Sequence, residues 1–215
     1  MNASRLRLKN SMRGVARVLG AILMALALTA CINFGVDKNA PPVSHFVLED
    51  LGRTATSHTP RPLTLAVLDT QVTAFYDTDG LAYSDQSGTR SYYQYAQWTE
   101  RPGKRFTDLL NLRLGRENLY AAVVRDSQVR GDWLLETQLL EFYHDATRSP
   151  GKAQILLQAD VVDLVTHGLV AHKLFSVGAD LASFDAAGAH DALNQATTHL
   201  LDDMMDWLIS LPARN

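Results

Sequence analysis

Apolar and polar positions alternate or recur along most of the chain, and the period changes from segment to segment. Ser44 to Glu49 reads as a first strand. Leu63-Thr64-Leu65-Ala66-Val67-Leu68 is a firmer one, rich in β-formers and preceded by two prolines. Gly80, Asp85 and Gly88 mark turns around short strands at Leu81–Ser84 and Arg90–Tyr95. Pro102-Gly103 then punctuates the chain before a helix from about Lys104 to Glu117. Phe106, Leu109, Leu110 and Leu114 fall on one face of that helix.

Three long strand-like stretches follow. In the first, Trp133, Leu135, Thr137, Leu139, Glu141 and Tyr143 alternate with Leu134, Glu136, Gln138, Leu140, Phe142 and His144. In the second, Ile155, Leu157, Ala159 and Val161 make one face, and the third runs from Leu169 to Val177. Thr166-His167-Gly168 between the last two predicts a hairpin and antiparallel pairing, and Pro150-Gly151 marks another hairpin loop between the first two. A long helix from about Ala187 to Leu211 closes the chain. Ala189, Leu193, Ala196, Leu200, Met204, Trp207 and Leu211 form its apolar stripe, which needs a sheet or a helix to cover it. The pattern predicts an α/β chain of the α+β kind. Its mixed sheet has an antiparallel C-terminal half, with two main helices packed on one face.

The first 30 residues do not belong to that domain. Their charges are all basic (Arg5, Arg7, Lys9, Arg13, Arg17), and an apolar run follows from Val18 to Ala30. A bilayer-spanning helix needs roughly 20 apolar residues. A shorter run behind a basic region reads as a secretory signal peptide, here residues 1–30. It ends in Leu28-Thr29-Ala30-Cys31, which resembles a bacterial lipobox. Cys31 is the one cysteine of the chain, so no internal disulfide can form. Lipidation of Cys31, by a diacylglycerol thioether and an N-acyl chain, gives the sulfur a role, and two or more chains anchor stably. Residues 31–42 then form the lipidated cysteine and a short tether, and 43–215 a single domain. Ile32, rather than aspartate, follows the cysteine, which points to the outer membrane and its periplasmic face.

Without the leader, 15 basic face 23 acidic residues. That balance, with no basic cluster, argues against nucleic acid or an anionic membrane surface as the direct partner.

Chemistry-bearing motifs are sparse. The seven histidines include no H-E-x-x-H pair, and one cysteine cannot make a thiolate zinc site. His144-Asp145 ends a strand and reads as a solvated turn rather than a catalytic dyad. His199 with Asp202 and Asp203 reads as a polar helix face. Asp77-Thr78-Asp79-Gly80 lacks the third ligand and the twelfth-position glutamate of a calcium loop. Glu136 and Glu141 are expected on opposite faces of one strand, which does not make a glycosidase pair. No catalytic residue, metal ligand or cofactor site is predicted. The distinctive block is aromatic: Tyr92-Tyr93-Gln94-Tyr95-Ala96-Gln97-Trp98, with Tyr76 and Tyr83 upstream. Such rings suit an interface, where one end is apolar and the other wet. Alternate members such as Tyr93 and Tyr95 are also candidates for core beneath the helix. Tyr83, Tyr92, Tyr95 and Trp98 are the candidate partner-binding residues.

The order of these features resembles the ABC-type transport auxiliary lipoproteins, the family that includes the lipoprotein of the paraquat-inducible intermembrane transport system. The matching residues are the lipobox at Cys31, the strand Leu63–Leu68, and Asp79-Gly80-Leu81-Ala82-Tyr83. The stretch Tyr92 to Pro102 resembles the family's tyrosine-x-x-tryptophan-x-x-x-proline segment leading into a helix. Ser44-His45-Phe46-Val47-Leu48 departs from the family's aromatic-rich opening. The resemblance implies a non-enzymatic accessory that works with an ABC transporter and an MCE-domain substrate-binding protein. Together they would move phospholipid or related hydrophobic molecules between membranes, and a domain docking on a symmetric assembly is compatible with a homo-oligomer. Two other classes remain open. One is a lipoprotein regulator of a cell-wall enzyme, for which an 11-residue tether reaching at most roughly 40 Å is short. The other is a lipid-anchored hydrolase.

Overall fold

The computed structural model describes residues 41–52, 59–125 and 131–212. The chain divides into Met1–Pro41 and Pro42–Asn215, and the second unit carries every described element. The residues read from sequence as a signal peptide, Cys31 and nearly all of the expected tether lie outside the described residues.

The longest strands organise the sheet. β7 (Trp133–Asp145), β8 (Lys152–Asp163) and β9 (Gly168–Asp180) form an antiparallel meander in chain order. On the other side of β7, three shorter strands lie end to end, all parallel to it: β2 (Arg61–Val67), β3 (Gln71–Val72) and β4 (Gly80–Ser84). Beyond β2 lies β6 (Tyr120–Arg125), parallel. Beyond β4 lies β5 (Ser91–Trp98), antiparallel, and then β1 (Ser44–Phe46), parallel to β5. The mixed sheet with an antiparallel C-terminal half is therefore the observed fold. β3 and β6 are additions that the sequence pattern did not predict. The two residues of β3 are too few to show a period, and Tyr120–Arg125 follows the helix with only Asn118 and Leu119 between.

Two helices cover one face. α1 (Pro102–Glu117) starts with proline in its first turn, where a missing N–H costs nothing. It stops at Asn118 in the left-handed conformation, φ 51°. α2 (Ala186–Ser210) is capped by Asp185, whose carboxylate accepts from the Gly188 N–H at 2.7 Å. At its other end, Arg61 donates to the carbonyls of Ile209, Leu211 and Pro212 at 2.8, 2.5 and 2.8 Å, satisfying acceptors the helix leaves open. All the predicted stripe residues of both helices are buried.

β8 keeps strict alternation, with Ala153, Ile155, Leu157, Ala159 and Val161 turned to the helices. β7 does not. A register shift between Leu139 and Glu141 inserts one residue. Trp133, Leu135, Thr137 and Leu139 are buried before it; Phe142 and His144 are buried after it. The predicted face ending in Glu141 and Tyr143 is thus corrected. The same shift puts Glu136 and Glu141 on one face instead of two. Five residues of strand still separate them by roughly 13–16 Å, beyond the spacing of a glycosidase pair.

Candidate functional site

The aromatic block sits where β4, β5 and the end of β7 meet, and the pleat divides its rings between two faces. On the helix-bearing face, Tyr83 and Tyr93 lie with ring centroids 4.9 Å apart. Tyr93 is parallel to the ring of His144, 6.3 Å away, and Phe184 meets that imidazole edge-on at 5.6 Å. Phe184, just before α2, is 53% exposed. Tyr83, Tyr93, Phe184, Asp85 and Ala146 line part of an open cleft of about 590 Å³.

His144 is buried rather than solvated, which corrects the reading of His144-Asp145 as an exposed turn. The alternation shift in β7 turns it inward. Its Nε2 lies 3.1 Å from the Pro150 carbonyl, which can only accept, so Nε2 carries the proton. Nδ1 is then the acceptor for the Tyr93 hydroxyl, 2.8 Å away. Burial holds the His144 pKa below the ordinary histidine value, against the opposing pull of the Pro150 carbonyl and Asp145. Burial, with Asp185 and Tyr83 adding to it, pushes the Tyr93 hydroxyl up to about 12. Asp145 turns away and accepts from the Thr147 N–H and hydroxyl at 3.1 and 2.7 Å. Both imidazole nitrogens are thus engaged in holding the fold, and the His-Asp neighbours do not form an acid–base pair.

On the opposite face, Tyr92 stacks on Phe75 at 4.6 Å and 7° and donates its hydroxyl to the Phe75 carbonyl. Gly80 makes room for this ring: a Cβ there would meet Tyr92 Cδ1 at 2.5 Å. Beside them, Arg90 donates to the Tyr76 hydroxyl at 2.8 Å and pairs with Glu141 at 3.3 Å. Its guanidinium lies 3.7 Å from the Tyr143 ring centroid. Tyr92 remains 40% exposed and Tyr95 37%, while Tyr83 and Tyr93 are half-buried.

Trp98 is different. It is 2% exposed, packed against Phe142 at 5.7 Å and His190 at 6.0 Å. The expectation of a partner-binding ring at Trp98 is therefore corrected. β5 has a register shift opposite Gly80–Ala82, so its N-terminal rings and its C-terminal pair Ala96 and Trp98 do not follow one phase. The structure brings Tyr83, Tyr92 and Tyr95 to accessible positions and leaves Trp98 in the core. Phe184 was not singled out from sequence, and its place before an N-capping aspartate was the available signal.

The arrangement offers contact surface: amphipathic rings with wet edges beside a cleft, held by engaged polar groups. Among the described residues, no cluster of three or more His, Cys, Asp or Glu side chains is placed to hold a metal ion. Among them, too, no helix is long and apolar enough to cross a membrane.

The family model for the ABC-type transport auxiliary lipoprotein component matches residues 46–205, from the end of β1 to the last turns of α2. The chain belongs to the ABC-type transport auxiliary lipoprotein family. Solved structures share the fold of this auxiliary lipoprotein. Protein XCC0632 from Xanthomonas campestris superposes with a TM-score of 0.72 at 22% identity, over 78% of this chain and 95% of that one. An uncharacterized protein gives 0.59 at 12% identity, over 77% and 99%. The hypothetical protein CT253 from Chlamydia trachomatis gives 0.50 at 8% identity, over 70% and 97%. Identities this low speak for the fold alone. Among curated proteins, none matches the chain. Membership makes the auxiliary lipoprotein a transport component rather than one of a known enzyme family.

Proposed function

We propose that this auxiliary lipoprotein is the docking component of an ABC/MCE-type system that moves phospholipid or related hydrophobic molecules between two membranes. It is anchored by acyl chains on Cys31 in the outer membrane and faces the periplasm. The observation that carries the reading is the group of accessible rings on β4 and β5. Tyr92 and Tyr95 are exposed and the half-buried Tyr83 lines the cleft on the other face, so wet rings flank this end of the sheet on both sides, a composition that protein interfaces favour. The family supports an ABC transporter as the system's motor. The Cys31 lipobox and Ile32 after it support the anchor and its membrane. The transporter's periplasmic MCE-domain protein is the proposed partner, and the short tether keeps the domain near the bilayer while it turns to meet it.

The test places photo-crosslinking amino acids at Tyr83, Tyr92 and Tyr95 in the native host, with Trp98 as the buried control. Adducts with an MCE-domain protein at the three tyrosines, and none at Trp98, are expected. Adducts with a cell-wall synthase would transfer the protein to the regulator class. Silence at all three tyrosines would remove the docking surface. Separately, Cys31→Ser is expected to release the protein from the membrane fraction.

A further inference from the structure

The sheet ends in a strand edge that the described residues leave open. β9 is 13 residues long and pairs only with β8 among the described elements. Along such a strand, alternate residues aim N–H and C=O at the neighbour and the rest aim them outward. The edges at β1 and β6 are only 3 and 6 residues long. Native proteins usually blunt a long edge with proline, guarding lysines, bulges or brevity. The register shift of β9 lies near its N-terminal end, between Leu169 and Ala171, and leaves Ala171–Asp180 regular. β9 contains no proline, and its one lysine, Lys173, folds back over the Phe175 ring at 4.5 Å. Leu169 and Leu174 are 63% and 52% exposed.

We propose that the β9 edge pairs antiparallel with β9 of a second copy, about a two-fold axis through Leu174, joining the two sheets into one. The argument for a second copy is self-complementarity of charge and size. With Leu174 opposite Leu174, the inner face sets Lys173 against Phe175 of the second copy, and Ala171 against Val177. The outer face sets His172 against Ser176. No like charges meet, because each Lys173, folded over the buried Phe175 ring of its own chain, faces an apolar position of the other copy rather than a second cation. Sliding the register to centre on Lys173 would bring two ammonium groups face to face. The Leu174 register also buries the most exposed apolar side chain near the middle of the strand against its own mate. α2 leaves the edge open because it packs over the helix-bearing face of β8 and β9, with Trp207 against Phe175 at 5.6 Å.

The test uses the full chain in detergent, with single substitutions Leu174→Cys and His172→Cys and the unsubstituted chain alongside to account for Cys31. At the axis, the Cα atoms of position 174 in the two copies lie within disulfide reach. His172 and its mate are displaced by four residues, roughly 13 Å, which is too far. Oxidation is expected to give a covalent dimer with Leu174→Cys and only the background of the unsubstituted chain with His172→Cys. A dimer with His172→Cys, with or without one from Leu174→Cys, would overturn the pairing proposed. Background alone in both would overturn it too. As an independent readout, Leu174→Lys places two ammonium groups on the axis. It is expected to halve the sedimentation mass with unchanged circular dichroism, whereas an unchanged mass would count against the proposal.

Discussion

Arg113 and Asp50 form a two-pronged ion pair in the interior, with Nε to Oδ2 at 2.9 Å and Nη2 to Oδ1 at 2.5 Å, and both side chains are almost wholly buried. Burial works against the guanidinium, but Asp50 and Asp202 together outweigh it and hold the arginine pKa above its ordinary value. The pair pins a strap, residues 47–51, across both helices. Arg105 donates to the Leu48 carbonyl at 2.9 Å, Asn194 accepts from the Glu49 N–H at 3.0 Å, and Thr198 accepts from the Leu51 N–H at 2.9 Å. Leu48 fills the space beneath, 2% exposed.

Removing one member of such a pair strands the other in low dielectric. Arg113→Met is expected to cost about 3–5 kcal/mol of stability. Arg113→Met with Asp50→Asn should recover part of it, because no uncompensated carboxylate then remains at that position. Urea unfolding of the single variant, the double variant and the unsubstituted chain checks both expectations. Equal losses in the single and double variants would mean that packing, not charge, holds the strap.

His144 predicts acid sensitivity. Its folded pKa is lowered, so the unfolded chain binds the proton more readily. Above the ordinary histidine value both states are neutral and the site contributes no slope. As pH falls below about 6.5, the unfolded state protonates first. Stability then declines, approaching about 1.4 kcal/mol per pH unit for one proton at most, until the folded pKa is reached. His144→Phe should remove this component of the slope between pH 7.5 and 5.5, whatever it does to stability at neutral pH. Denaturant titrations at the two pH values measure the difference.

Trp98 and Tyr95 are three residues apart and should respond oppositely to truncation. Trp98→Ala empties a site between Phe142 and His190 and is expected to cost about 3–5 kcal/mol. Tyr95→Ala, at an exposed ring, should stay within about 0.5 kcal/mol. Unfolding midpoints measure stability, and partner capture by the folded Tyr95 variant measures docking. A large loss of stability for Tyr95→Ala would make that ring structural.

Much of the architecture was legible because its signals are local. Period-two runs located β8 and most of β7, the turn residues of Thr166-His167-Gly168 gave the hairpin, and seven regularly spaced apolar residues gave α2. Long-range register was not legible. Nothing in Leu139-Leu140-Glu141 announces an inserted residue, because leucine suits either face and Glu141 is satisfied outward by Arg90. That one shift reversed the expected faces of Phe142, His144 and Glu141. The strap was hidden for a related reason: Asp50 and Arg113 are 63 residues apart, and only folding brings them together. In the candidate site, the block of rings was visible by composition. Which rings are wet depends on the register shift in β5, so Trp98 was misplaced.

The loop joining β7 and β8 carries the sharpest backbone requirement near the site. Gly151 has φ +88°, a region that side-chain-bearing residues rarely adopt. A Cβ there would also lie 2.3 Å from the Asp145 carbonyl oxygen and 2.4 Å from His144 Nε2. The first neighbour is backbone and the second is a ring already bonded to Pro150, so neither can yield cheaply. Gly151→Ala therefore combines left-handed strain with a clash, and a loss of at least about 1–3 kcal/mol is expected. The damage should begin at the Tyr93–His144 contact, since the imidazole must move to admit the methyl group. Hydrogen exchange should accordingly rise first at the ends of β7 and β8 around Asp145 and Lys152, leaving α1 protected. Uniform loss of protection across the domain would instead mean that this loop is needed for the whole sheet to close.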